Sequence, residues 1–178
     1  LLAGKLISGV GVGLTFSAVY LLSLALTLGY FEKMEWVPAG TYFWFLLFLI
    51  AGMLAFGSLF AGLSAACQDL KDSQNFAGTL VLVLVVPMML SFVAIESPDG
   101  PLSNFLSLVP PFSVMGMVVR VAIPPGPPEM LIYLSLALNV AFAVVVVWAS
   151  SRIFRIGILS QGKTPSWKDL LRWLFQRG

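Results

Sequence analysis

The stretch Gly57-Ser-Leu-Phe-Ala-Gly-Leu-Ser-Ala-Ala-Cys-Gln-Asp-Leu-Lys-Asp-Ser-Gln-Asn75, continued by an apolar run from Phe76 to Leu90 that carries Pro87, decides how the chain is read. Its first part is apolar and rich in small residues, the nine residues from Cys67 to Asn75 are polar, and its last part is apolar again. Two apolar helices joined by a short charged tip form a membrane hairpin, since about 20 apolar residues cross about 30 Å of hydrocarbon. The small residues and the short tip predict that the two helices pack closely on each other.

The rest of the composition agrees. Of 178 residues, 59% are apolar and only 10% charged, and the mean hydropathy of +0.97 lies outside the range of soluble globular domains. The expected fold is an all-α integral membrane domain. Four runs are long enough to span, roughly 6–29, 42–66, 76–95 and 130–150, and none contains Asp, Glu, Lys or Arg. Lys5, Lys71, Arg152, Arg155, Lys163, Lys168, Arg172 and Arg177 fall on one side of this frame, against Lys33 and Arg120 on the other. The positive-inside rule therefore predicts that both ends and the 67–75 turn are cytoplasmic. A net charge of +2 points to no nucleic acid partner, and the lipid bilayer is the expected surroundings. The chain begins Leu-Leu-Ala-Gly-Lys rather than with Met, as a fragment or a processed product would.

Glycine and serine mark the helix faces. Gly9 and Gly13 on the first span, and Ala51, Ala55, Ser58 and Gly62 on the second, offer bare backbone where another helix can approach. Pro87 cannot donate to the carbonyl of Val83, so a bend is expected there. Residues 102–123 are apolar but broken by Pro110-Pro111 and carry Arg120. Two short helical pieces of this kind read as an outer re-entrant or interfacial hairpin, its broken backbone buried against protein. The alternative is a fifth span, which would put the prolines in its first half and Arg120 near its end. From Ser166 the chain predicts an amphipathic surface helix, with Trp167, Leu170, Leu171 and Leu174 on one face of the cytoplasmic tail 151–178.

Chemistry is sparse. The chain has no His and one Cys, and it shows neither a Gly-x-Ser-x-Gly elbow nor a phosphate-cradling loop. No catalytic, cofactor or metal site is expected. Asn139 is the most polar residue within a span, and interhelical hydrogen bonding is its simplest role. The tip residues Gln68, Asp69, Lys71, Asp72 and Gln74 read either as a solvated turn or as a docking knob for a cytoplasmic partner.

Gly4-Lys5 before a span, the run from Gly57 to Gln74, and the following span with Pro87 together resemble the ABC type-2 exporter permeases. Ser107-Leu-Val-Pro-Pro-Phe-Ser113 followed by Arg120 is similar to that family's outer re-entrant helices, and the basic segment from Arg152 to Ser166 to its cytoplasmic ending. The sodium-efflux branch looks most similar. The resemblance implies a six-span permease of which this chain holds the last four spans, in a prokaryotic plasma (inner) membrane. It implies pairing as a homo- or heterodimer and a separate or fused ABC ATPase, which would carry ATP and magnesium. The tip at Gln68, Asp69, Lys71, Asp72 and Gln74 would then face the ATPase, and Pro110, Pro111 and Arg120 would belong to an outer gate. A non-transporting structural subunit of a larger membrane complex is the competing expectation.

Overall fold

The computed structural model describes residues 2–31, 37–67, 70–97, 100–110 and 112–159. They form six helices: α1 Leu2–Tyr30, α2 Ala39–Ala66, α3 Leu70–Glu96, α4 Pro101–Leu108, α5 Ser113–Ala122 and α6 Glu129–Leu159. There is no strand among the described residues. Helices α1, α2 and α6 contain stretches long and apolar enough to cross a membrane, Leu2–Tyr30, Gly40–Ser64 and Glu129–Arg155. In α3 the corresponding apolar stretch is shorter, Ala77–Leu90. The expected surface helix from Ser166 lies outside the described residues, as do Gln68, Asp69 and Pro111.

Prolines set five of the helix ends. α2 starts after Pro38, whose carbonyl accepts the N–H of Thr41 at 2.9 Å. Pro101 opens α4 at a position where its missing N–H costs nothing. Val109 and Ile123, the residues before Pro110 and Pro124, are both extended, because a following proline disfavours the helical region. That rule ends α4 and α5. Pro128 delivers the chain to α6, its carbonyl accepting the N–H of Leu131 at 2.9 Å, and Glu129 sits in the first turn where the helix dipole favours an acid.

The polar tip differs from the sequence expectation. Residues 70–75 are not a turn but the first turns of α3, and the connection from α2 is only the three residues Cys67 to Asp69. A helix satisfies the backbone groups of this segment better than an open turn does, and Gln74 within it is exposed. α3 runs as one helix through Pro87.

The packing also departs from a simple hairpin. Among the described residues α2 packs most extensively on α6, not on α3, and α3 packs mainly on α5. Trp44 meets Tyr133 edge-to-face at 5.1 Å near the starts of α2 and α6, and Gly62 faces Ser150 near their ends. The two helices are therefore parallel. Their buried positions repeat in heptads, Thr41, Phe48 and Ala55 with Ala51 and Ser58 on α2, and Ile132, Asn139, Val146 and Ile153 on α6. Such a repeat keeps a seam of side chains facing one partner along the whole helix. Phe48, Met117 and Ile132 form the core where α2, α5 and α6 converge.

α1 is the outlying helix. It lies antiparallel on α2, with Leu6 beside Gly57 and the end of the Met53 side chain over Gly13, and elsewhere it exposes Val12, Phe16, Val19 and Tyr20. Its Thr15, Ser23 and Thr27 hydroxyls donate to carbonyls one turn back at 2.8–2.9 Å, so they are satisfied without water.

At Gly62 a Cβ would lie 3.0 Å from Ser150 Cβ and 3.1 Å from its Cα, backbone that cannot yield. Gly62→Leu is expected to force α2 and α6 apart and destabilise the domain by about 1–3 kcal/mol, as overpacking does. A thermal melt in detergent would show it as a lowered midpoint, and Gly62→Ala should fall between the two.

Candidate functional site

α4 and α5 are two short helices folded back on each other, joined through residues 109–112 and set against the first halves of α2 and α6. Thr41 Oγ1 donates to the carbonyl of Val121 at 3.3 Å, and Val114 fills the space over Gly52, so α5 runs antiparallel to α2. On the other side Asn139 of α6 reaches Ser113 at the start of α5. Asn139 is about 15 Å along the axis from Glu129. The tip of the α4–α5 pair therefore reaches close to the middle of both long helices, with Pro110 at that tip.

The space enclosed there is polar. Ser107 is its hub: its hydroxyl donates to the carbonyl of Ser103 at 2.7 Å and accepts from Arg120 Nη1 at 3.0 Å, while its carbonyl accepts from Ser135 Oγ at 2.6 Å. Asn139 Nδ2 donates both to Ser113 Oγ at 2.7 Å and to the carbonyl of Ser135 at 2.9 Å. All six side chains are at most 2% exposed. A buried guanidinium is costly to desolvate and persists only where its surroundings compensate. Arg120 stands in the last turn of α5 and its guanidinium reaches Ser107 in the last turn of α4, helix ends where the dipole favours a cation. Ser103 Oγ and Asn139 Oδ1 are buried with no hydrogen-bond partner.

Beside this cluster an apolar groove of about 410 Å³ opens between α2, α3 and α5, lined by Phe45, Leu49, Met88, Phe92, Val114 and Val118 among others. α3 thus meets α5 through apolar side chains, whereas α6 meets the α4–α5 pair through directed hydrogen bonds.

The remaining residues singled out in the sequence are at the other end. Lys71, Asp72 and Gln74 lie in the first turns of α3, with Gln74 exposed. Lys5 lies with its ammonium 6.0 Å from the Phe154 ring centroid, Arg152 stacks 4.6 Å over Trp148, and Arg155 is exposed. These cations gather where α1 begins and α6 ends, while Glu96 and Glu129 mark the opposite end. Ser58 is fully buried and donates to the carbonyl of Ala55 at 2.8 Å. Gly13 and Gly62 stand against Met53 and Ser150, whereas a Cβ on Gly9 would meet nothing within 4 Å.

Sequence reasoning singled out Arg120 and Asn139 and quoted Ser107 and Ser113 as the ends of a motif, but it gave no role to the four serines that join them. The signal was present: Ser103-xxx-Ser107 and Ser135-xxx-Asn139 each place two polar side chains on one face of an otherwise apolar helix. Among the described residues no group of three His, Cys, Asp or Glu could hold a metal ion. The cluster offers donors and acceptors for holding helices together, with no nucleophile–base pair.

A double-mutant cycle between Ser113→Ala and Asn139→Leu is expected to give a coupling of about 0.6–1.7 kcal/mol, the range of hydrogen bonds between membrane helices. Equilibrium unfolding in bicelles measures it; strictly additive losses would show that the bond contributes nothing.

Comparison with known proteins gives the site a context. A family model described as "ABC-2 family transporter protein" matches residues 1–152, which takes in all of α1 to α5 and most of α6. The chain is similar to Uncharacterized protein MJ1024 of Methanocaldococcus jannaschii, at 24% identity over 99% of this chain and 43% of that protein. It is also similar to Uncharacterized protein YhaP of Bacillus subtilis, at 27% identity over 82% of this chain and 35% of that one. The chain thus spans less than half the length of either relative. No solved structure matches it.

Proposed function

This chain belongs to the ABC-2 family of transporter proteins, and we propose that it is membrane-spanning permease machinery of an ATP-driven exporter, moving a substrate out of the cytoplasm. The family match across α1 to α5 carries this reading. In it, α3 is a fourth span beside α1, α2 and α6, and the α4–α5 pair is a hairpin that enters the membrane from outside and returns. Its depth beside Asn139 and the burial of Ser107 and Ser113, which flank its turn and are hydrogen-bonded to α6, favour that arrangement, because non-helical backbone survives at membrane depth only when packed against protein. The basic end carrying Lys5, Lys71, Arg152 and Arg155 is then cytoplasmic by the positive-inside rule.

The ATPase, with its ATP and magnesium, is a partner or another part of a longer chain, and a second permease completes the pathway. The segment Gln68, Asp69, Lys71, Asp72 and Gln74 is the contact for that ATPase. α3 begins there and packs against α5 farther along, so a displacement of its first turns has a continuous route to the hairpin with Pro110, Pro111 and Arg120. A rigid helix transmits such movement without needing a charged residue inside the membrane. The apolar groove between α2, α3 and α5 is suited to hydrophobic cargo rather than a bare ion.

Purification of the full-length protein from native membranes is expected to bring down an ABC ATPase. Charge reversal by Asp69→Lys with Lys71→Glu should lower its permease-stimulated ATP hydrolysis about tenfold at unchanged membrane abundance, the scale of losing one or two charge-assisted contacts. A stable native complex containing no ATPase would instead favour a structural subunit.

A further inference from the structure

The groove between α1 and α2 is shaped differently from the one beside the hairpin. It measures about 540 Å³ and is lined by Leu6, Gly9, Val10, Met53, Phe56 and Phe60, with Lys5 and Ser64 at one end. Its two ends are unlike. At the inner end the tip of the Met53 side chain lies over Gly13 and closes it. At the other end it opens beside Lys5, whose ammonium lies at the Phe154 ring, on the same end of the bundle as Arg152 and Arg155.

Gly9 keeps the groove open. A Cβ built there meets nothing within 4 Å, so its bare backbone is not needed for contact with α2 and instead leaves room along the trough. From Met53 to Ser64 the trough follows α2 for about 16 Å at 1.5 Å per residue. It is a one-ended apolar slot with a cation at its mouth.

We infer that this slot binds one acyl chain of an anionic phospholipid, with the phosphate at Lys5. The occupant follows from charge complementarity: an apolar slot alone would take any hydrocarbon, but Lys5 stands at the opening and, among the described residues, no acid lines it. The lipid belongs to the leaflet at the basic end of the bundle. The hydrocarbon contributes little preference of its own, since bilayer tails are as apolar as the slot. Selection therefore rests on the headgroup, and one basic residue at a membrane surface corresponds to about a fivefold preference. The inference requires that the domain sits in a membrane and does not depend on export or on an ATPase.

The test uses the full-length protein reconstituted in nanodiscs of equimolar phosphatidylglycerol and phosphatidylcholine, then analysed by native mass spectrometry. The unaltered protein is expected to retain one phosphatidylglycerol per chain about fivefold over phosphatidylcholine. Lys5→Gln should remove the preference while a lipid is still retained. Gly9→Leu should fill the slot and abolish retention of both lipids, with an unchanged or raised melting temperature because the added side chain enters open space. Phosphatidylglycerol carrying a photoreactive group on its acyl chain should crosslink to peptides containing Met53 or Phe56, a readout that stands even if a variant folds poorly. Equal retention of the two lipids by the unaltered protein, undiminished retention by Gly9→Leu, or crosslinks confined to other helices would each overturn the inference. So would finding the slot covered by protein, seen as loss of a second polypeptide from the Gly9→Leu complex.

Discussion

Gly62 carries no side chain, and that lets α2 lie directly against the backbone of Ser150 on α6. The rest of the architecture follows from this contact and from the direction it imposes. Two parallel helices cannot be joined by a short loop, so the chain must travel back before α6 can begin. α3 makes the return. The α4–α5 pair then occupies the space beside the first halves of α2 and α6, where Phe48, Met117 and Ile132 close the core.

Within that frame the polar cluster gives the short helices a fixed place. An eight-residue helix and a ten-residue helix are too short to be stable alone. Ser135 and Asn139 hold them to α6, and Arg120 ties α5 to α4 through Ser107. Apolar packing would set only an approximate position among oily neighbours. Hydrogen bonds in a low-dielectric interior set a specific one, because each donor displaced there loses a partner with no water to replace it.

The helical class and the apolar runs were legible in the sequence because they depend on local composition and on proline placement. Val109 before Pro110 and Ile123 before Pro124 mark helix ends that a reader can place without a structure. Partner choice was not legible. Small residues at Ser58 and Gly62 announce that something approaches α2 closely, and the neighbouring helix in the chain is the natural guess, yet α6 is what fills the place. The start of α3 at Leu70 was hidden for a related reason: a charged segment reads as a turn, while its helical state depends on the apolar helix that propagates into it. The serine cluster escaped because Ser103, Ser107, Ser113 and Ser135 are individually unremarkable in an apolar helix and gain meaning only when four elements bring them together.

The parallel pairing of α2 and α6 also has a temporal side. During synthesis α2 emerges well before α6, and the whole of α3, α4 and α5 is made in between. Until then the seam through Phe48, Ala55 and Gly62 has no partner, and the polar faces of Ser107 and Ser113 have neither Ser135 nor Asn139 to bind. Contacts so far apart in sequence form late. The domain is thus assembled backward from its last helix: arrival of α6 completes the seam and the polar cluster in one step, and a nascent chain stopped short of α6 holds every other described helix without the surface that orders them.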